Sequence, residues 1–265
     1  MKKFLFFIPL FLILSCSKVP ITQRKQMNLL PESQMMAMSL ANYRDFLSKN
    51  PPVPASNPDA AMVKNIGSRI SSAVERYMKS NGQAKRVQGY KWEFNLVSDK
   101  QVNAWCMPGG KVVVYTGLLP VTKDETGLAF VMGHEIAHAV ARHGNERMSQ
   151  MLLTATGGIA LDVALSQKPE QTRSIFLTAY GVGATVGVLL PYSRTHESEA
   201  DKLGMVFMAM ARYNPSNAYQ VWERMGAASG GGKPPEILST HPSDATRMKQ
   251  MKEFLPQAMK YYKPN

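Results

Sequence analysis

The feature that most constrains this chain is a pair of histidines four residues apart with a glutamate between them, His134-Glu135-Ile136-Ala137-His138. Around it Leu128, Val131, Met132, Ile136 and Val140 keep a helical apolar period, and Asp124 stands where an N-cap belongs. Residues four apart on a helix lie one turn apart on one face, so both imidazoles project together. That geometry grips a single tetrahedral Zn2+ ion. Glu135 is rotated off the pair and can reach a metal-bound water as general base without being a ligand.

A catalytic zinc takes a third protein ligand and keeps its fourth place for water. The candidates are His143, His196, Glu197, Glu199 and His241. His143 follows His138 by five residues and points off the metal face. Glu197 falls on a helix expected from Thr195 to Tyr213, with Asp201 one turn later on the same face. A carboxylate there completes a His2Glu set and places Asp201 to accept the free ring N–H of a ligand histidine. Glu199 points elsewhere and reads as a solvated or structural charge.

The rest of the chain is mostly helical. Pro31 opens a helix to about Ser48. The proline-rich stretch Asn50 to Pro58 is a loop, and Asn57-Pro58 reads as cap and first turn of a helix that stops near Asn81-Gly82. Tyr90 to Val97, Asn103 to Met107 and Lys111 to Thr116 read as three short strands, with Pro108-Gly109-Gly110 as a turn, forming a small antiparallel sheet. Two apolar helical stretches between Leu152 and Leu190 are split by the polar segment Ser166 to Arg173. The second, Ile175 to Leu190, has Gly183 and Gly187 four apart. At sixteen residues it is expected as a buried helix that packs closely rather than as a membrane span. Helices resume from Pro215 to about Ala228 and from near Pro242, with a Gly/Pro loop from Ser229 to Pro235 between them. The class is α+β, a predominantly helical domain around a small antiparallel sheet.

The N-terminus stands apart. Lys2 and Lys3 precede an apolar run, Phe4 to Leu14, that ends at Ser15-Cys16. Eleven residues are short for a membrane helix, and the pattern is that of a secretory signal. Cysteine at this place resembles a bacterial lipobox, which implies cleavage before Cys16 and lipidation of it. The expected organisation is therefore a signal peptide over 1–15, a lipid-anchored tether over 16–30 and one domain over 31–265. The expected location is a bacterial cell envelope, facing the periplasm, with the outer membrane favoured. Cys106 is the one other cysteine, so an acylated Cys16 leaves no internal disulfide, and Cys106 reads as a small buried hydrophobe. The formal charge is +12, but the basic residues are scattered without interleaved aromatics, which excludes a nucleic-acid surface.

Beyond the zinc helix, Ser193-Arg194-Thr195-His196-Glu197-Ser198-Glu199-Ala200-Asp201 follows an SRxxExxAD pattern. Asn103-Ala104-Trp105 with Pro108-Gly109-Gly110, Val114-Tyr115-Thr116-Gly117-Leu118, and Ser239-Thr240-His241-Pro242 with Arg247 add three more segments in order. Together they resemble zinc metallopeptidase family forty-eight, which holds HtpX-like, Oma-type and Ste-type CAAX peptidases. The closest resemblance is to its soluble periplasmic lipoprotein branch, LoiP- and BepA-like.

The resemblance implies a gluzincin-type fold holding one Zn2+ per chain through His134, His138 and Glu197. It implies Glu135 as catalytic acid/base and Asp201 behind a ligand histidine. His241 and Arg247 match residues near the cleft, one of which aids the transition state or blocks the zinc at rest. Asn103, Ala104 and Trp105 match an edge strand that binds extended substrate. The implied function is endoproteolysis of misfolded or misassembled envelope proteins. A rival reading is an envelope chaperone or assembly factor whose metal site stays mostly latched. The chain lacks the spanning helices of the Ste-type and HtpX-like members and a tetratricopeptide region, so BepA-like partner docking does not carry over.

Overall fold

The computed structural model describes residues 16–168, 170–185, 189–228, 236–241 and 245–264. The expected signal peptide, the Ser229 to Pro235 loop and the helix start at Pro242 lie outside these residues, as does Gly187 of the glycine pair. Where one domain over 31–265 was expected, the chain divides into two compact units. The smaller takes Met1–Glu32 with Arg142–His196, and the larger takes Ser33–Ala141 with Glu197–Asn265. One junction is Arg142, which sits at φ 60° between two helices and so turns the chain without a loop.

The larger unit begins in α1 (Glu32–Lys49) and α2 (Pro58–Ser80). Asn57 caps α2, its Oδ1 accepting from the Asp59 and Ala60 amides at 2.8 and 3.3 Å, and Gly82 at φ 69° follows its end. The sheet has strands β3 (Glu93–Val97), β4 (Ala104–Met107) and β5 (Lys111–Tyr115), in the order β3-β5-β4. β4 and β5 form the expected antiparallel hairpin, Ala104 opposite Val114 and Met107 opposite Lys111. β3 joins on the other side in parallel, Glu93 opposite Lys111 and Val97 opposite Tyr115. β5 is thus the middle strand, and all five of its residues are buried. This explains its unbroken valine run, because a strand covered on both faces does not alternate.

The chain then passes through the short helix α3 (Leu119–Thr122) into α4 (Glu125–Val140), the interior helix of this unit. Asp124 Oδ1 accepts from the Gly127 amide at 2.7 Å, closing its first turn. Nearly every residue of α4 is buried, as a helix apolar on all sides must be. It packs on the sheet at β4 and against α2. The helix α7 (Leu190–Met210) crosses α4 where Gly133 and Gly204 meet: a Cβ at Gly204 would lie 2.9 Å from the His134 amide nitrogen, and one at Gly133 2.9 Å from the Gly204 carbonyl. The two backbones touch there, and only glycine permits it. The unit ends with α8 (Tyr219–Ala227), α9 (Glu236–Thr240) and α10 (Ala245–Met259).

In the smaller unit, residues expected as a bare tether form an antiparallel pair, β1 (Cys16–Lys18) and β2 (Lys25–Met27). The pair and the residues after it are fastened to α5 (His143–Ala164), which continues into α6 (Glu170–Ala184). Glu146 is the fastener. Its carboxylate accepts from both Arg24 Nη atoms at 2.8 and 2.7 Å and from Gln26 at 3.2 Å, and lies 2.9 Å from His196 Nε2. The Leu29 amide donates to Ser149 Oγ at 2.8 Å. Ile175 to Leu190, expected as a buried helix, is different: Phe176 and Val182 on α6 are 53% and 60% exposed. Apolar composition alone does not say which neighbours cover a helix, and here the exposed positions face water.

Candidate metal centre

α4 presents His134 and His138 from consecutive turns, with Nε2 atoms 3.1 Å apart. α7 brings Glu197 to them, its Oε2 3.3 Å from His134 Nε2 and its Oε1 3.4 Å from His138 Nε2. The Gly133–Gly204 contact fixes this approach, since Gly204 lies two turns from Glu197 on the same helix. His241, just past α9, completes the group. Its Nδ1 lies 3.0 Å from Glu197 Oε1 and 3.4 Å from His134 Nε2. One ligand atom from each of the four lies within 4.8 Å of all the others. Zinc bonds of about 2.0–2.1 Å in a tetrahedron set ligand atoms about 3.3 Å apart, and the spacings above match that edge. Imidazole nitrogens at this distance from one another have little reason to converge except to share a cation. The donor set therefore fits one Zn2+ ion.

Behind the ligands lies a buried support. His134 Nδ1 is 3.0 Å from Asp201 Oδ1. Asp201 also accepts from Arg247 Nε and Nη2, both at 2.8 Å, and from Trp222 Nε1 at 3.0 Å. Arg247 Nη1 donates to the His241 carbonyl at 3.2 Å and lies 3.2 Å from Glu197 Oε2. The guanidinium carbon stands 4.7 Å above the Trp222 ring, and the His134 ring meets that same indole edge-on at 5.1 Å. One arginine thus ties together a ligand carboxylate, the acid behind a ligand histidine and the backbone of the His241 segment.

The electrostatics call for positive charge. Burial by itself would lower the His134 pKa, but the Asp201 and Glu197 carboxylates outweigh it and raise it to about 9. Burial pushes Glu197 the other way, yet His138, His134 and His241 overcome that and hold its carboxyl far below the usual range. Glu135 is buried, with Oε1 3.7 Å from His241 Nε2 and without a hydrogen bond at that oxygen among the described residues. Burial raises its carboxyl pKa, against the pull of His241, His134 and Arg247. A buried carboxylate with one oxygen free of hydrogen bonds beside a cation site has the properties of a proton acceptor in waiting.

The sequence-derived candidates sort as follows. Glu197 and His241 join the histidine pair. His143 and His196 stack on each other in the smaller unit, centroids 4.4 Å apart, and belong to the Glu146 cluster. Glu199 is buried, so the solvated alternative for it is excluded. Asn103 precedes edge strand β4, and its side chain accepts from the Ala104 amide at 2.9 Å. The Trp105 ring packs edge-on against Phe46 at 5.0 Å and Tyr43 at 6.2 Å. Cys106 is partly exposed, and burial of its thiol together with Glu135 raises its pKa well above the usual value. Trp222 was not singled out from sequence, since nothing in the pattern of α8 marks it.

Two histidines one turn apart on an interior helix, joined by a glutamate from a second helix that also carries an aspartate behind them, define a gluzincin-type metallopeptidase. Comparison with known proteins agrees. The model of peptidase family M48 matches residues 67–255. The mitochondrial metalloendopeptidase OMA1 of Schizosaccharomyces pombe is 35% identical over 91% of this chain and 66% of its own length. The mitochondrial metalloendopeptidase OMA1 of Homo sapiens is 29% identical over 91% of this chain and 46% of its own. The beta-barrel assembly-enhancing protease of Escherichia coli K12 is 29% identical over 59% and 33%. The chain belongs to peptidase family M48, a family of zinc metallopeptidases. It spans about two thirds of the fission-yeast relative and less than half of the other two.

These matches correct the expected location. The relatives aligned over nine-tenths of the chain are mitochondrial by name, which overturns the bacterial-envelope assignment and the periplasm-facing lipid anchor that went with it. The physical reason for the error is plain. A basic start followed by an apolar run is an address common to several membrane systems, and its chemistry does not specify which one.

Proposed function

We propose that the chain is a zinc-dependent endopeptidase that hydrolyses internal peptide bonds of misfolded or misassembled polypeptides. The observation that carries this is the buried Glu135 carboxylate, its Oε1 free of hydrogen bonds among the described residues, beside a four-atom cluster with tetrahedral spacing. His134, His138 and Glu197 would hold the ion. Zinc bound there would supply Lewis-acid polarisation of a substrate carbonyl and a nucleophilic water at neutral pH. Glu135 takes the proton from that water and later delivers it to the departing amine nitrogen. Asp201 keeps the His134 ring oriented, and Arg247 keeps Glu197 and the His241 backbone in place. Asn103, Ala104 and Trp105 receive an extended substrate through the main chain of β4, the edge of its sheet.

Casein cleavage by the zinc-loaded protein tests this. Glu135→Gln should keep its metal and lose activity by about 10²–10⁴-fold, the usual worth of a positioned base. Equal cleavage by the two proteins removes the assignment.

A second reading has its own support. His241 Nδ1 occupies the corner of the cluster that a catalytic water needs, 3.0 Å from Glu197. A ring held there would complete the ligand set, as in a chaperone or assembly factor with a latched centre. His241→Ala then raises basal cleavage. A fall instead assigns the His241 ring to the oxyanion of the transition state.

A further inference from the structure

The α5–α6 hairpin of the smaller unit carries most of the large apolar side chains that stand exposed among the described residues. On α5, Met151, Leu152, Ile159 and Val163 fall within about a third of the helix circumference at 100° per residue, so they form one stripe. Ile159 and Val163 are each 66% exposed. Phe176 and Val182 extend the exposed surface on α6. No charged residue occurs from Met148 to Leu161 or from Ser174 to Ser193. A monomer rarely leaves so much contiguous apolar surface to water without a use.

We propose that this hairpin docks on an anionic lipid bilayer, lying in its interface. Two observations select that occupant. First, the uncharged stretch of α5 presents Met151, Leu152, Ile159 and Val163 as a one-sided stripe, the form suited to partial immersion at a membrane surface. Second, the unit holds ten Lys and Arg against four Asp and Glu. Each of those acids already faces an arginine: Glu32 faces Arg142, Glu146 faces Arg24, and Asp162 and Glu170 face Arg173. Exposed Lys18, Lys25 and Arg147 lie on β1, β2 and the start of α5, at one end of the stripe. That field attracts anionic headgroups and repels a second copy of the same surface.

Methionine oxidation of the full chain reads the contact locally, whatever the leader contributes. Met148 and Met151 lie on the stripe, while Met38, 45% exposed on α1 in the other unit, is the internal control. The chain is treated with hydrogen peroxide alone, with phosphatidylcholine vesicles, and with phosphatidylcholine–phosphatidylglycerol vesicles. Sulfoxide is followed residue by residue by mass spectrometry. The anionic vesicles should slow oxidation of Met151 by about tenfold, as expected when a side chain of this size leaves water. Met148 should be slowed less and Met38 not at all, and neutral vesicles should protect more weakly. Ile159→Glu with Val163→Glu, at positions that contribute little to packing, should restore oxidation while far-UV circular dichroism stays unchanged. Equal rates with and without anionic vesicles overturn the proposal, as does equal protection of Met38. It is also overturned by protection that appears on raising protein concentration without lipid, which indicates a second copy, or only on adding unfolded casein, which indicates a polypeptide ligand.

Discussion

Asp201 shows how much of a metal centre lies behind its ligands. It faces His134 and accepts from Arg247 and Trp222, so its charge orients the ring that meets the ion. Asp201→Asn keeps the shape, removes that charge and weakens the Arg247 clamp. Zinc affinity should fall by 10–100-fold, as measured by competition with a chromophoric chelator. Glu197→Ala should do more and leave the purified protein with less than one zinc per chain by elemental analysis. The histidine pair was legible in sequence because helical spacing converts position into direction, whereas Glu197 was one of five candidates and was singled out by the resemblance of its segment to the SRxxExxAD pattern. Asp201 was legible through the same helical spacing, one turn past Glu197. Trp222 was not, since its role comes from where α8 packs, and a lone tryptophan in a short helix has no periodic partner to mark it. For Glu199 the sequence left a solvated and a structural role open, because its surroundings are set by packing, and burial leaves the structural one.

At the scale of elements, the meeting of α4 and α7 is the decisive contact. Both glycines at the crossing lie inside helices, where glycine costs about 1 kcal/mol relative to alanine. Gly204→Ala should reverse that expectation. Its Cβ meets the His134 backbone, so the helices must part, at a cost of about 1–3 kcal/mol. Denaturant unfolding measures the loss, and zinc binding should weaken along with stability because Glu197 moves with its helix. The parallel pairing of β3 was likewise hidden. Alternation fixes which face of a strand is apolar, but not which neighbour it chooses or in which direction. In the smaller unit, Glu146 gives a pH signature. Burial would raise its pKa, but Arg24 and His196 outweigh this and lower it from the ordinary 4.5 to about 2. A depressed carboxyl contributes stability that is full above its unfolded pKa and is lost as pH falls through its folded one. Protection factors of the α5 amides from Asn145 to Ser149 should therefore drop between pH about 4.5 and about 2. In Glu146→Gln they should already be low at neutral pH and show no such step.

For the molecule as a whole, the boundaries of the two units have a consequence for ancestry. The larger unit leaves the chain at Ala141, three residues after His138, and takes it up again at Glu197, a ligand itself. Everything between the second histidine and the glutamate belongs to the other unit apart from that short remainder. The ion thus fixes local helical spacing but places no demand on how many residues separate the two motifs. That interval can lengthen, shorten or be exchanged during descent while the coordination chemistry persists. Sister proteins will be recognised by the two short signatures in order, whereas any search that insists on their separation will pass over genuine kin.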